Sequence, residues 1–576
     1  STLRHTLFPY TTLFRSGDTT YSEFYRQYRH RRYMVYFGAN DGMLHAVNSG
    51  FYSGADSTFY GSYNSSTQTY SASGGPELGA EMWAYVPYNL LPHLECLTDP
   101  NYEHQYYVDL RPRAFDVKIF ADDEDHPNGW GTILVCGMRF GGSGEPVQIE
   151  EGRYFGSSFF IFDITNPEEE PVFLGEITYD GEDSLNMGHS MTAPSVIPIK
   201  DSGVIKWYLV MGTGPDSLEG TSEQKAKVVV IPLAEIIDNG NGPDSSFSWY
   251  IPGCSSCDPS ETDAGYIDIT SQGASIGTDF VTVDYDFDFF SDILYFGTVE
   301  QDNKGNWEGG LWQLKVESEL DPGSWEDKEK IHVDGPVTGT PNIGFSNEHV
   351  WIYFGTGKFW TLADKTDTSV QSFYGVIEPK QTTGSAYNFN TVSLASLEDV
   401  TDIEVDVDSG DLSCSDGSTN CYPTTEIDTF DELVDYITGT SSVDGWVRDL
   451  EQTGERVLGQ PALLGGLVTY TTYIPNSNIC EAEGTGRLYA LYYLTGTAWA
   501  EDVFGDQSTD DTEVQFMKEL GPGMSITPSL HLGSQQGTKV FVQTSTGEIL
   551  EINQPNLPVK NVHSGSGGWH THDIDD

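Results

Sequence analysis

The chain has 576 residues and a net charge of −59, because 87 acidic residues face only 28 basic ones. Such a charge repels phosphate backbones and anionic lipid headgroups at long range, so nucleic acid is excluded as a natural partner. Cations are the natural ligands of this surface, although most of the acid serves only to keep it soluble. The sequence has no run of about 18 apolar residues, so we expect no membrane insertion.

The N-terminal segment does not read as native protein. Residues 6–16 match, residue for residue, one reading frame of a widely used short-read sequencing adapter. We therefore expect residues 1–16 to be an assembly artefact and exclude them from the fold. Residues 17–30 then form an N-terminal lead-in, and we expect an upstream domain of the same protein to be missing.

The composition favours β-strands joined by tight turns. The chain has 62 Gly, 32 Tyr, 29 Phe and 12 Trp, and its short apolar runs are cut by small polar residues. An apolar strand, a Gly-rich turn and a second strand recur seven times. The copies start at Tyr36, Ile133, Tyr208, Ile293, Val350, Leu463 and Val540. One small twisted sheet cannot bury both faces, whereas radially arranged blades bury each face against a neighbour.

These repeats predict an all-β fold, a modified seven-bladed β-propeller over residues 31–560 with long loop insertions and a few short helices. The three main insertions are Glu219–Asp263, Leu397–Tyr422 and Glu501–Glu513. Thr429–Ile437 has a threonine N-cap and acid in its first turn, which indicates a short helix. Residues 561–576 are expected to form a flexible tail.

Seven cysteines leave at least one thiol unpaired or paired outside the chain. Cys414 and Cys421 flank a Ser/Asp/Gly loop, and we predict a disulfide between them. Cys254 and Cys257 form a Cys-x-x-Cys pair, which is typical of a redox site or half of a zinc site. Since no second such pair accompanies it, we favour a disulfide that closes this loop, formed in an oxidising compartment.

Several motifs occur in the order found in one known family. Tyr36–Ala46 followed by Glu81–Pro87 resembles the opening blade of PilY-type pilus tip adhesins. Further matches follow in order: Tyr106–Asp109, Gly129–Thr132, Tyr353–Lys358 and Phe373–Gly375. The resemblance spans approximately residues 31–553.

The resemblance implies a modified seven-bladed propeller, preceded in the family by a variable N-terminal region. It also implies an extracellular location at the pilus tip or cell surface, reached by export through the periplasm. The associated roles are type IV pilus assembly, calcium-tuned retraction and surface adhesion. The implied partners are minor and major pilins and host or abiotic surfaces.

One acidic segment has the spacing of an EF-hand-like calcium loop. Residues 284–292 place carboxylates at loop positions 1, 3, 5 and 9. We predict a Ca²⁺ site whose ligands are the side chains of Asp284, Asp286, Asp288 and Asp292 and the backbone carbonyl of Phe290. Water completes the shell of about six to eight oxygens. The PilY-type resemblance implies a calcium loop at the same point.

Two residues depart from a standard calcium loop. Phe289 stands at position 6 in place of Gly, and Tyr295 stands at position 12 in place of a bidentate Glu. The alternative is a strand that alternates Asp outward with Phe inward and needs no metal. Four carboxylates that converge without a cation repel one another strongly, so we favour calcium. A second acidic segment, Asp302–Asn306, could bind an ion, but its composition favours a Gly-containing turn.

Enzyme motifs are weak in this sequence. Gly273–Gly277 matches the Gly-x-Ser-x-Gly pattern of hydrolases, but the following β run does not fit a strand-to-helix elbow. Gly355–Lys358 lacks the spacing of a phosphate-binding loop. His570 and His572 could catch a transition metal, although an exposed tail is usually just mobile.

We therefore predict a binding module and not an enzyme. One alternative is a periplasmic or extracellular calcium-dependent quinoprotein dehydrogenase, because those enzymes also use propellers. It would need converging Arg, Asp and Glu in a cofactor funnel, which the sequence does not assemble. The other alternative is a purely structural scaffold of the pilus or envelope.

Overall fold

The computed structural model describes most of the chain. The described residues are 19–150, 153–178, 186–234, 248–250, 265–285, 288–345, 349–379, 389–407, 409–415, 417–418, 421–422, 427–476, 484–506, 513–525, 527–533 and 537–558. The adapter-like segment, the Cys254–Cys257 pair and the tail 561–576 lie outside them, so these predictions stay predictions.

The described strands form seven sheets of three to five strands, which are the blades of the propeller, and three two-stranded hairpins. Blade I comprises β1 (Tyr33–Gly38), β2 (Leu44–Ser53), β3 (Thr58–Tyr60) and β6 (Glu81–Tyr85), with a hairpin of β4 (Ser62–Asn64) and β5 (Thr69–Ser71). Blade II comprises β7 (Arg113–Lys118), β8 (Trp130–Gly137), β11 (Ser158–Asp163), β12 (Val172–Thr178) and β16 (Ser248–Tyr250), with a hairpin of β9 (Val147–Glu150) and β10 (Arg153–Phe155). Blade III comprises β13 (Ser195–Asp201), β14 (Val204–Gly212), β15 (Lys225–Pro232) and β17 (Gly265–Gln272).

The remaining blades follow in chain order. Blade IV comprises β18 (Ala274–Ile276), β19 (Val281–Val283), β20 (Ile293–Gln301), β21 (Trp307–Lys315) and β22 (Glu326–Val333). Blade V comprises β23 (Asn342–Phe345), β24 (His349–Gly355), β25 (Ser372–Pro379), β26 (Glu398–Asp399) and β29 (Gly445–Asp449), with a hairpin of β27 (Ile403–Val405) and β28 (Leu412–Cys414). Blade VI comprises β30 (Arg456–Val457), β31 (Ala462–Leu464), β32 (Leu467–Ile474), β33 (Thr485–Tyr492) and β34 (Met517–Pro522). Blade VII comprises β35 (Ser529–Gly533), β36 (Gly537–Gln543) and β37 (Ile549–Asn553).

The seven-bladed propeller predicted from the repeats is confirmed. The two strands of each sequence repeat are neighbours in one sheet: β1 with β2, β8 with β11, β14 with β15, β20 with β21, β24 with β25, β32 with β33, and β36 with β37. The chain folds into two compact units, Ser1–Leu294 with Leu314–Asp327, and Tyr295–Gln313 with Lys328–Asp576.

Blade II, in the first unit, illustrates why the strands of this fold are apolar on both faces. All eight residues of β8 are buried. Ile133 and Val135 pack in a core with Leu209 of blade III, while Leu134 packs in a separate core with Leu44 of blade I. Each face is thus covered by a neighbouring blade, as radial packing requires.

Blade VI repeats this arrangement in the second unit. Val468 and Tyr470 pack with Phe373 of blade V, and Leu467 packs with Val540 of blade VII. Burial on both faces of a central strand is therefore a property of both units. Continuous apolar runs, and not alternating ones, are the sequence signal of such strands.

Two α-helices lie among the described residues, α1 (Thr19–Tyr28) and α2 (Phe430–Gly439). In α1, the buried Tyr21 contacts Trp130 edge-on, with 4.8 Å between ring centroids. In α2, the side chain of Thr429 accepts from the Glu432 backbone N–H and that of Glu432 accepts in return, which confirms the predicted threonine N-cap. No helix of the described residues combines the length and the hydrophobicity needed to cross a membrane.

Short 3₁₀ segments complete the helical content of the described chain. They are Tyr88–Thr98, Pro127–Gly129, Pro322–Ser324, Leu362–Thr366 and Leu394–Ser396. The disulfide predicted between Cys414 and Cys421 is confirmed. Cys96 and Cys136 are free thiols, and Cys136 is buried in β8. Burial raises the pKa of the Cys136 thiol, so this cysteine is protonated and unreactive at neutral pH.

Candidate metal centre

The acidic segment of residues 284–292 forms the connection between two strands of blade IV. Strand β19 ends at Val283 and β20 begins at Ile293. The described part of this connection, residues 284–285 and 288–292, contains no strand. The alternative of an alternating strand is therefore wrong for these residues, and Asp284, Asp288 and Asp292 lie in a loop, as a calcium site requires.

Asp284 organises the first half of the loop. Its Oδ1 accepts a hydrogen bond from the backbone N–H of Asp288 at 3.1 Å, and its Oδ2 accepts from the N–H of Phe289 at 2.7 Å. Asp288 in turn accepts from the N–H of Phe290 at 3.0 Å. These bonds hold the backbone of Asp288 (position 5) and Phe289 against the carboxylate of Asp284 (position 1).

Phe289 makes the sharp turn that glycine makes in a standard calcium loop. Its φ is +76°, in the left-handed region. A bulky residue in this region costs about 1 to 3 kcal/mol and persists only where the surroundings impose it. Phe in place of Gly at position 6 therefore makes the turn less favourable in energy, but the backbone still adopts the left-handed conformation of the turn.

Asp292 fixes the second half of the loop. It is buried, its Oδ2 accepts from the N–H of Tyr285 at 2.6 Å, and its own N–H donates to the carbonyl of Val283 at 2.9 Å. Its carbonyl accepts from the N–H groups of Val316 and Glu317. Position 9 is thus tied both to the start of the loop and to the chain that follows β21.

Blade III holds the loop from one side. The N–H of Ser291 donates to the carbonyl of Pro198 in β13 at 3.0 Å. The buried ring of Phe290 lies under the ammonium of Lys200, 4.9 Å from the ring centroid. The sequence analysis missed these contacts, because no local pattern links a proline carbonyl to a loop about ninety residues later in the chain.

Three of the predicted side-chain ligands lie in one short loop and are linked through backbone N–H groups: Asp284 accepts from Asp288, and Asp292 accepts from the residue after Asp284. Among the described residues, the three carboxylates do not form a group whose ligand atoms all lie within 4.8 Å of one another. Each ionised carboxylate has about four lone-pair sites, so accepting backbone N–H groups leaves capacity for a hard cation. Asp286 lies outside the described residues, so its part in the site stays a prediction.

Position 12 supplies no carboxylate. Tyr295 is fully buried in β20, and its hydroxyl donates to Glu378 at 3.3 Å. The predicted ligand set therefore stays limited to aspartates, one backbone carbonyl and water. A calcium loop with fewer charged ligands binds more weakly than one with a bidentate Glu.

The Asp302–Asn306 segment is a turn, as its composition favours. Asp302 accepts from the N–H groups of Lys304 at 2.7 Å and Asn306 at 2.8 Å. Gly305 has φ +86°, which the turn requires. These bonds lower the pKa of Asp302.

Two enzyme-like motifs occupy structural positions. Ser275 lies fully buried within β18, so it does not stand on a turn between a strand and a helix. Lys358 is buried beside Asp364, with 2.6 Å between Nζ and Oδ1, and its ammonium lies 4.3 Å from the ring centroid of Trp307. Its charge is thus balanced internally.

Known proteins resemble this chain in sequence and in fold. A family model described as the PilY1 beta-propeller domain matches residues 9–407. The chain belongs to the PilY1 β-propeller family. The resemblance read from the motifs of blades I, II and V is confirmed.

Curated PilY1 proteins match most of the chain. The type IV pilus biogenesis factor PilY1 homolog of Xylella fastidiosa is 25% identical over 95% of this chain and 37% of its own length. The type IV pilus biogenesis factor PilY1 of Pseudomonas aeruginosa PAO1 is 24% identical over 92% of this chain and 41% of its own length. The chain thus spans about two fifths of each relative.

A crystal structure of the Pseudomonas aeruginosa PilY1 C-terminal domain has the same fold. It superposes with a TM-score of 0.58 at 20% identity, and the match covers 96% of this chain and 99% of that one. The PilY1 fold therefore extends through blades VI and VII, beyond the residues that the family model matches.

Proposed function

We propose that this PilY1 propeller binds calcium at the Asp284–Asp292 loop and works outside the cell at the tip of a type IV pilus. There it supports pilus assembly, regulates retraction and adheres to surfaces. Its partners are minor and major pilins and host or abiotic surfaces. The observation that carries the proposal is the loop curled on Asp284 in a member of a family whose curated relatives are named pilus biogenesis factors.

Bound calcium would offset two unfavourable features of this loop, charge repulsion and backbone strain. Without a cation, the carboxylates of Asp284, Asp288 and Asp292 repel one another, and the left-handed Phe289 adds strain. A divalent ion converts this repulsion into attraction and holds the turn closed. Because Ser291 is bonded to Pro198, the occupied loop is also held against blade III. Calcium occupancy would then set the shape of the propeller surface near this loop.

We expect Asp288→Ala to weaken calcium binding by at least about 10-fold, because it removes one charged ligand. Isothermal titration of the parent and the variant with CaCl₂ measures this loss. Asp288 is exposed, so the variant should fold as the parent does. Calcium at about 100 times its Kd should stabilise the parent by about 2.7 kcal/mol and the variant by less.

Asp302→Ala is the matched control, since it removes an equal charge from an exposed turn of the same blade. It should leave calcium affinity unchanged. Equal calcium uptake by the parent and Asp288→Ala would remove the site from the proposal.

The pilus role is tested in cells. A strain that lacks its own PilY1 receives the full-length gene containing this propeller, the same gene without the propeller, or the gene with Asp288→Ala. We expect loss of surface pili without the propeller, and normal pilus numbers but altered twitching motility with Asp288→Ala. Normal pili and normal adhesion without the propeller would contradict the proposed role.

A further inference from the structure

Blade IV carries a second group of ligand-type side chains, and all of them belong to the second unit. Glu300 lies in β20, Glu308 in β21, and Glu329 and His332 in β22. Residues three apart in a regular strand face opposite sides. Here the side chains of Glu329 and His332 nevertheless meet, with 3.0 Å between Oε1 and Nδ1.

The distances in this group fit a metal ion. Nδ1 of His332 lies 3.0 Å from Oε1 of Glu329 and 3.9 Å from Oε1 of Glu300. One ligand atom from each of the three residues lies within 4.8 Å of the others. Ligands about 2.0 to 2.1 Å from a tetrahedral zinc ion are about 3.3 Å apart. The observed separations lie on both sides of this value, so small side-chain rotations suffice.

Glu308 lies where a carboxylate could bind the second ring nitrogen of His332; we call such a residue, which contacts a metal ligand but not the metal, an outer partner. Its Oε2 lies 3.7 Å from Nε2 of His332, on the other side of the ring from Glu300 and Glu329. A histidine that binds a metal through one nitrogen usually presents its other N–H to a carboxylate. Nδ1 of His332 is the nitrogen that faces the two ligand carboxylates, so a metal bound there would leave Nε2–H directed towards Glu308.

An independent observation concerns the backbone beneath Glu329. A Cβ atom on Gly310 would lie 2.6 Å from Oε1 of Glu329 and 3.3 Å from Nε1 of Trp312. The buried Nε1–H of Trp312 has no hydrogen-bond acceptor among the described residues. The glycine thus leaves room for the carboxylate, and an unused donor lies next to it. Such a donor suits a water molecule or an anion in the open position of a metal site.

We propose that Glu300, Glu329 and His332 bind a first-row divalent transition metal such as Zn²⁺, with Glu308 as the outer partner of His332. The mixed nitrogen and oxygen donors favour such a metal over calcium, which takes oxygen ligands only. The site is separate from the Asp284–Asp292 loop and from the proposed calcium function. Without a metal, the same carboxylates hold a proton on the imidazole, and the hydrogen bond to Glu329 raises the pKa of His332 to about 9.

The test is titration of the protein with ZnCl₂. All variants carry His570→Gln and His572→Gln, because the tail imidazoles would otherwise add zinc sites of their own. We expect one zinc per chain in this background. His332→Gln should lower zinc affinity by more than about 100-fold, and Glu308→Gln by about 10-fold, as expected for a ligand and an outer partner.

Two controls separate the site from nonspecific binding and from the calcium loop. His531→Gln removes an exposed imidazole from β35 and should leave zinc affinity unchanged, as should Asp288→Ala. Circular dichroism checks that each variant is folded. Zinc binding of equal strength in His332→Gln and its parent, or no zinc uptake by the parent, would show that the group is an ion-pair cluster only and overturn the proposal.

Discussion

We expect Lys330→Met to lower the free energy of unfolding by about 3 to 5 kcal/mol. Nζ of Lys330 lies 2.5 Å from Oε2 of Glu378, and both side chains have no exposed surface. Removing the ammonium leaves a carboxylate without its counter-charge in the core. Urea unfolding followed by tryptophan fluorescence measures the loss.

The groups hydrogen-bonded to the pair do not replace the lysine. Lys330 also donates to Oδ1 of Asn390 at 2.6 Å, and Tyr295 donates to Glu378 at 3.3 Å. These neutral groups do not balance a charge. Burial raises the pKa of Glu378 and lowers that of Lys330, so each ion depends on the other.

The double variant Lys330→Met, Glu378→Leu provides the sharpest control. It should recover most of the lost stability, because no charge remains buried. Lys225→Met breaks an exposed pair with Asp268 and should change stability little. A Lys330→Met protein as stable as Lys225→Met would show that the buried pair has no such role.

The sequence predicted the blades because their signal is local. In blade VI, for example, two apolar runs separated by polar residues pair directly, with Tyr470 opposite Tyr489. The two parallel strand pairings could not be predicted from the sequence. β16 pairs three residues with β12 at a separation of 72 positions, Glu176 with Ser248 for example, and β26 pairs two residues with β29 at Trp446 and Val447. Strands this short carry no periodicity, and only the tertiary structure selects their partners.

The candidate sites were predictable to different degrees. The aspartates at loop positions 1, 3, 5 and 9 predicted a loop, and this segment does connect β19 and β20. This spacing did not predict that Phe289 adopts a left-handed conformation, because phenylalanine rarely does. The group around His332 was missed for another reason. Strand alternation assigns Glu329 and His332 to opposite faces, so no local pattern predicts that their side chains meet.

An acidic side chain in this protein is therefore not evidence of a metal site by itself. Glu176 is buried, yet it accepts hydrogen bonds from the backbone of Tyr88 and Asn89 and from the hydroxyl of Ser158. Its lone pairs are used by the protein, and it fixes the start of a 3₁₀ segment. The group around His332 differs from it, because Glu300 and Glu329 there face one imidazole.

The second large effect concerns Trp446 in β29. Its indole ring is fully buried and fits against two glycines, since a Cβ atom would lie 2.4 Å from the ring at Gly375 and 2.3 Å from it at Gly496. Its Nε1–H donates to the carbonyl of Tyr493 at 3.1 Å. We expect Trp446→Ala to cost about 3 to 5 kcal/mol in unfolding free energy, because the rigid backbone on both sides cannot close the cavity.

Graded variants distinguish the cavity from the lost hydrogen bond. Trp446→Phe keeps much of the ring volume and loses the N–H, so it should cost less than Trp446→Ala, and the difference reports the cavity. Leu362→Ala, at a side chain that is 68% exposed, should stay within about 0.5 kcal/mol of the parent. If Trp446→Ala were no more destabilising than Leu362→Ala, the second unit would not depend on this ring. If Trp446→Phe cost as much as Trp446→Ala, the hydrogen bond to Tyr493, and not the packing between the glycines, would account for the loss.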